Sequence, residues 1–203
     1  MAVNPDNVIR ADMSQQLVHF TRGADYDEAF NNLMRIVEQR TLHGGGAMIR
    51  GNCRCVCFTE APLTSLHNGL VNPRAYSRYS PFGVIFDKSW IFERGGRPVI
   101  YQSDAEFDLM APTQRWRHMR YEPAANIDFT WEREWRLRVD HLELDPAICG
   151  IVLPAGNWER RLRDAHDGQQ AWMAYEYAQV LEINLAAQYE ERFGWRIYTM
   201  RTL

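Results

Sequence analysis

The sequence predicts an α+β domain, a mostly antiparallel or split β-sheet with flanking helices, folded as a single unit over residues 1–203. Three observations lead there. Short apolar and β-branched runs bounded by turn residues recur roughly six or seven times, and three or four other stretches carry helical spacing. Their order lacks the regular alternation of parallel βαβ units. The length suits one sizeable core better than two, and neither repeats nor long linkers divide the chain.

Gln16 to Phe20 reads as the first strand and runs directly into Thr21-Arg22-Gly23. From Asp27 to Arg40, Phe30, Leu33, Met34 and Val37 fall at the three-and-four spacing of an amphipathic helix, with Asp25 or Asp27 as its N-cap. That helix has to stop by Gly44-Gly45-Gly46, which reads as a glycine stop because no Lys-Ser or Lys-Thr follows to make a phosphate loop. Arg54 to Thr59 is a second strand, and Glu60-Ala61-Pro62-Leu63 turns into a short helix around Leu63 to Leu70.

After a polar segment, Asn72 to Ser80, the continuous apolar run from Pro81 to Phe86 suits a buried strand. Arg97 to Tyr101 is another short strand, residues 104–120 are irregular or helical, and Ile127 to Arg138 leads into a strand carrying Glu132 and Glu134. Ala147 to Leu153 is the run most clearly built for burial, and Pro154 ends it. Asn157 caps an Arg-rich helix that reaches Asp167, residues 172–185 mix apolar and polar side chains, and Trp195 to Met200 forms a terminal strand.

A hydrophobic content of 46% with 24% charged residues places the chain among globular proteins and away from disordered ones. A net charge of −3 argues against a surface that clings everywhere to nucleic acid, while leaving room for a local basic patch. Lys88 is the only lysine. No run of eighteen apolar residues is present and the first residues lack the blocks of a signal peptide, so the expectation is a cytoplasmic protein with no membrane partner. Cys53, Cys55 and Cys57 alternate along one strand, and together with Cys149 they read as buried thiols and not as a metal site, so no metal is expected.

The segment Trp131-Glu132-Arg133-Glu134-Trp135-Arg136-Leu137-Arg138 carries the strongest chemical signal. Alternate residues of a strand share a face, so Glu132 and Glu134 would point the same way. Two such carboxylates form either a site that uses their charge or a solvated face paired with Arg133, Arg136 and Arg138.

Four segments in order resemble the ADP-ribosyltransferase superfamily, closest to the AbiGi type of abortive phage resistance proteins and more distantly to the DarT toxins that modify nucleic acid. They are Val18-His19-Phe20-Thr21, the stretch from Cys57 to Leu63, the stretch from Tyr79 to Phe86, and Phe129 to Arg136. The resemblance implies a split sheet that grips NAD as substrate. It assigns His19, with Thr21 beside it, to the adenosine-side ribose, Tyr76 or Tyr79 to the nicotinamide ring, and Glu134 to the nicotinamide-side ribose. It gives Glu132 the acceptor. Arg50 and Arg54 lie where some relatives hold the phosphates, and Arg115, Arg117 and Arg120 lie upstream of the acceptor loop. The second strand has Phe58-Thr59-Glu60 in place of a Ser-Thr-Ser pattern, which departs from the arginine-specific branch.

The expected function is therefore transfer of ADP-ribose from NAD to a macromolecular acceptor, nucleic acid or protein, in phage defence or a toxin–antitoxin pair with a cognate antitoxin. An NAD glycohydrolase and a non-enzymatic antitoxin or binding module on the same scaffold are the rivals.

Overall fold

Alternation along β1 (Gln16–Phe20) sends Leu17 to one face of a sheet and Val18 and Phe20 to the other, and all three are buried. A strand buried on both faces has to sit inside a sheet. The computed structural model describes residues 13–47, 49–63, 80–180 and 191–200. In it β1 lies at the centre of a seven-stranded sheet, flanked by β3 (Val56–Thr59) and β4 (Gly83–Asp87). Beyond β3 come β8 (Glu134–Leu137) and β5 (Arg97–Pro98), and beyond β4 come β10 (Gly150–Leu153) and β11 (Arg196–Thr199). The pairings are antiparallel except for β10 with β11. The fold mixes helices with a mostly antiparallel sheet, as the sequence predicts.

Helix α1 (Tyr26–Gln39) starts at Asp25, whose carboxylate accepts the Glu28 backbone N–H at 2.8 Å, while Asp27 and Glu28 place negative charge in the first turn. Its apolar face buries Ala29, Phe30, Leu33 and Val37 against the sheet. A short helix, α2 (Lys88–Glu93), follows β4 without a break and buries Ile91 in the same core. Trp158, in helix α4 (Gly156–Ala178), meets Phe30 and Phe82 with ring centroids 5.2 and 4.8 Å away. The main core thus lies between one face of the sheet and these helices, with Leu17, Phe58, Phe86, Trp135 and Ile151 from the strands. A smaller cluster of Val18, Phe20, Ala61, Ile85, Val152 and Met200 covers the other face.

Several elements differ from expectation for physical reasons. α1 is ended by Arg40 in the left-handed conformation and not by the glycine triplet. The chain then forms β2 (Thr41–His43), paired with β9 (His141–Glu143), and Gly44 passes so close to the Val139 carbonyl that no side chain fits there. The run from Arg97 to Tyr101 divides at Val99: β5 pairs with β8, and β6 (Ile100–Gln102) turns aside to pair in parallel with β7 (His118–Arg120). The segment 104–120, expected as irregular or helical, holds the short helix α3 (Asp104–Phe107), a 3-10 turn at Pro112–Arg117 and then β7.

The two segments expected at 157–167 and 172–185 are joined, through Ala178, as the single helix α4. Asn157 is not its cap, because the helix begins a residue earlier, behind Ala155. Gly168 interrupts the pattern without stopping the helix. It faces open space, and its cost of about 1 kcal/mol is offset by the good helix formers around it. Residues 64–79 lie outside the described residues, and with them most of the helix expected around Leu63 to Leu70, the polar segment as far as Tyr79, and both Tyr76 and Tyr79. The part of the 172–185 segment beyond Val180 lies outside them as well.

Gly83 in β4 faces Phe20, and a Cβ there would collide with the His19 carbonyl oxygen. Gly83→Ala is expected to destabilise the fold by about 1–3 kcal/mol through overpacking of backbone against backbone. A urea titration of the variant beside the wild type measures it, and an unchanged midpoint contradicts the close approach.

Candidate active site in the gap between β1 and β3

β1 runs alongside β4 for five residue pairs and β3 alongside β8 for four, yet β1 and β3 are joined by one pair, Val18 opposite Thr59. Past that pair the two strands diverge, and a cavity of about 500 Å³ occupies the opening. His19, Thr21 and Arg22 line its β1 wall, with Asn32 and Ile36 from α1. Cys55, Cys57, Glu134 and Arg136 line the opposite wall, and Phe129 and Glu132 arrive from the turn before β8. Register explains the second wall: Thr59 faces Glu134 and Cys57 faces Arg136, so these four share the face that Phe58 and Trp135 turn away from.

His19 bridges the opening. Its Nδ1 lies 2.7 Å from the Cys57 carbonyl oxygen, a group that can only accept, so Nδ1 carries the proton. Burial, together with the charge of Arg22, lowers the imidazole's pKa from its ordinary 6.5 and outweighs the opposing pull of the Cys57 carbonyl. The ring is therefore neutral near pH 7 and its Nε2 is an acceptor. Thr21 lines the same cavity, but its hydroxyl is directed to the Ala29 and Phe82 carbonyls at 3.0 and 3.1 Å. What Thr21 does locally is hold the turn from β1 into α1.

The two glutamates reach the cavity by a different route from the one their spacing implies. β8 begins only at Glu134. Glu132 closes a 3-10 turn, Thr130–Glu132, and Arg133 between them adopts the left-handed conformation at φ 44°. Both are buried and both line the cavity, so the expectation of a shared face is met without a shared strand. The turn is stitched to β3: the Thr59 hydroxyl donates to the Glu132 carbonyl at 2.6 Å and the Glu60 N–H to the Arg133 carbonyl at 3.1 Å. Glu60 also accepts from the Trp135 indole at 2.6 Å and from Lys88 at 2.9 Å. Phe58-Thr59-Glu60 thus fixes the start of β8.

Glu134 is gripped by Arg136, whose Nε and Nη2 lie 2.8 and 3.3 Å from its two oxygens. Burial pulls the guanidinium's pKa down, and the bond and charge of Glu134 more than offset that and raise it. Glu132 and Glu134 are therefore not a solvated face: the arginine pairing exists for Glu134, but it is buried beside a cavity. Tyr101, which sequence reasoning missed, accepts the Glu134 N–H at 3.2 Å and donates to the Phe129 carbonyl. Burial, above all, pushes its hydroxyl up to about 12. Burial, then the neighbouring Cys53 thiol, likewise pushes Cys55 up to about 12. Cys57 rises further, by burial first and then by the charge of Glu134, so both thiols are protonated at neutral pH. Only their alternation in the sequence hinted that two cysteines would face a cavity and not the core.

The arginines considered for phosphates lie elsewhere. Arg50 pairs with Asp104 and sits over Phe107, and Arg54 donates to the Gly44 carbonyl at 2.7 Å. Arg115 and Arg117 donate to the Met110 and Pro98 carbonyls, and Arg120 pairs with Glu122 and Asp104. Among the described residues no group of His, Cys, Asp and Glu is placed to hold a metal ion, and no helix is long and apolar enough to cross a membrane. No family model, curated protein or solved structure matches this chain.

Chemically, the far wall combines two carboxylates with one guanidinium beside a neutral imidazole and neutral thiols. With both acids ionised it carries net negative charge, which suits a ligand that holds or develops positive charge. Thr59→Val removes the hydroxyl that pins the Glu132 carbonyl and is expected to cost about 1–2 kcal/mol, read from urea denaturation. An unaltered midpoint would show that the stitch contributes nothing.

His19 also leaves a signature in pH. Because its folded pKa lies below 6.5, the unfolded chain takes up a proton that the folded chain refuses as pH falls through 6.5, and stability drops across that window. His19→Asn, which keeps a donor for the Cys57 carbonyl but does not titrate, should lose less stability between about pH 7.5 and 5.5. Parallel stability curves for the two proteins would refute the assignment.

Proposed function

We propose that this protein splits NAD at the nicotinamide–ribose bond and transfers the ADP-ribose to a macromolecular acceptor, on an ADP-ribosyltransferase-like sheet. The observation that carries the reading is the meeting of His19 and Glu134, distant in sequence, across one cavity opened in the sheet. The cavity's volume falls in the several-hundred-cubic-ångström range of small-molecule sites. Its walls differ in charge as a dinucleotide requires: Arg22 stands on the side of β1, and Glu132 and Glu134 stand opposite. NAD carries a negative diphosphate between its riboses and a positive pyridinium at one end.

In this reading the His19 Nε2 accepts a hydroxyl of the adenosine-side ribose. Glu134 accepts a hydroxyl of the nicotinamide-side ribose and faces its anomeric carbon. When the carbon–nitrogen bond breaks, the electron pair leaves with nicotinamide and a cation resembling an oxocarbenium ion remains, as in glycoside hydrolysis. The Glu134 charge stabilises that cation. The acceptor's lone pair then forms the new bond at the anomeric carbon, and Glu132 takes the acceptor's proton. The resemblance of the sequence segments suggests the setting, phage defence or a toxin held by an antitoxin in the cytoplasm.

Purified protein incubated with NAD, with and without cell lysate, is expected to release nicotinamide in a lysate-dependent way. Lysate-independent release would point to hydrolysis, and silence under both conditions to a binding module. Glu134→Gln is expected to lower release by about 100-fold or more, the effect of deleting one preorganised electrostatic group. Wild-type rates from a folded Glu134→Gln variant would remove the catalytic role.

A further inference from the structure

We propose that Arg136 is the positioning residue of this site, a buried fork that orients the Glu134 carboxylate by bracing it against the backbone of the Trp116–His118 segment. The inference rests on the NAD-cleaving reading of Glu134 and adds to it the part that makes that carboxylate usable.

Arg136 is 1% exposed, so every N–H of its guanidinium has to find a partner inside the protein. Its Nε and Nη2 donate to the two oxygens of Glu134, two residues earlier on the same face of β8. Its Nη1 donates in the other direction, to the Trp116 carbonyl at 2.8 Å and the His118 carbonyl at 2.9 Å. Those carbonyls belong to the end of the 3-10 turn and the start of β7, where Trp116 is buried and its indole donates to the Thr113 carbonyl at 2.9 Å. His118 is buried as well, with its Nε2 3.2 Å from the Ser103 carbonyl.

A guanidinium is planar, so holding it on two fixed backbone carbonyls also fixes the plane in which it meets Glu134. A carboxylate held in this way does not have to reorient when positive charge develops in front of it, and the absence of reorganisation is the source of electrostatic catalysis. Arg136 meets Glu134 with two charged N–H donors, and the Cys57 thiol adds a weaker hydrogen bond to the same carboxylate. Cys55 and Cys57 from the β3 wall, Tyr101 from β6 and His19 on the β1 wall are neutral. Lysine cannot substitute, because a single ammonium cannot span both Glu134 oxygens and both carbonyls.

The test measures steady-state nicotinamide release, NAD affinity by calorimetry and thermal melting for wild type, Arg136→Lys, Glu134→Gln and the double variant. Arg136→Lys is expected to lower kcat by on the order of 10²-fold, the effect of a misplaced catalytic group, with little change in NAD affinity. In the Glu134→Gln background the same change should do nothing more, because its effect runs through Glu134. A folded Arg136→Lys variant with wild-type kcat, or a loss that adds in full to that of Glu134→Gln, overturns the positioning role and leaves the NAD reading standing. No release from wild type overturns both. Should Arg136→Lys fail to fold, Arg136→Gln assayed with added ethylguanidinium decides the same question: recovery of kcat with ethylguanidinium and not with ethylammonium supports the role, and no recovery overturns it.

Discussion

Where β1 and β3 part after the Val18–Thr59 pair, both strands lose partners that a closed ladder would supply, and the site takes its form from the way those backbone groups are met. The Cys57 carbonyl, left without a partner strand on that side, takes the Nδ1 proton of His19. At the end of β1 the Thr21 N–H still pairs with the Phe82 carbonyl, and the Thr21 hydroxyl adds bonds to the Phe82 and Ala29 carbonyls. The Asn32 side chain donates to the Arg22 carbonyl at 2.7 Å. His19 thus does for the Cys57 carbonyl what a neighbouring strand would have done, as buried polar groups require. Both walls of the opening are held by strands paired along their full length, β1 with β4 and β3 with β8, so the gap stays open without unravelling the sheet.

The same opening settles the charges. A carboxylate on a closed two-sided sheet would be buried without compensation, whereas Glu134 lines a cavity and is paired there with a guanidinium. Burying an ion pair stabilises little in itself, since the cost of removing both charges from water offsets their attraction. Its presence beside a cavity is better explained by what it orients than by what it adds to the fold. Glu132 joins this wall through the left-handed turn at Arg133, and the Thr59 hydroxyl and Glu60 N–H close that turn onto β3. Phe58-Thr59-Glu60, which stands in place of a Ser-Thr-Ser pattern in the sequence, serves as the anchor of the glutamate turn.

The flanking parts follow weaker constraints. α4 runs for 23 residues with only Leu162 buried, and Trp172 and Tyr175 stand exposed on its outer half. Its length comes from local propensity and not from packing, which is why apolar periodicity underestimated it. β6 and β7 form a small parallel pair outside the main sheet, and their value to the site is indirect: β7 offers the carbonyl that Arg136 grips, and Tyr101 on β6 receives the Glu134 N–H.

Local pattern determined the first strand at Gln16–Phe20 and the strands expected over 54–59 and 147–153, found at Val56–Thr59 and Gly150–Leu153. It also determined the terminal strand and the α1 helix, whose cap it left between Asp25 and Asp27 and the fold gave to Asp25. In each, the period of apolar residues and the punctuation around it lie within one short stretch. Spacing named Glu132 and Glu134 as candidates, because residue type and interval survive in the sequence, whereas His19 was named only through the resemblance carried by its segment. Tertiary structure decided the rest. The three-residue strands β2, β7 and β9 are too short to carry a period and exist only because a partner lies beside them. The partners of Glu134 were equally hidden, since Arg136 was one of three arginines near enough to pair, and what singled it out were the carbonyls of Trp116 and His118, brought in by folding. The opening between β1 and β3 has no signature in either strand, for it is the absence of pairing between two segments that each pair fully on their other side, and that is a property of the assembled sheet.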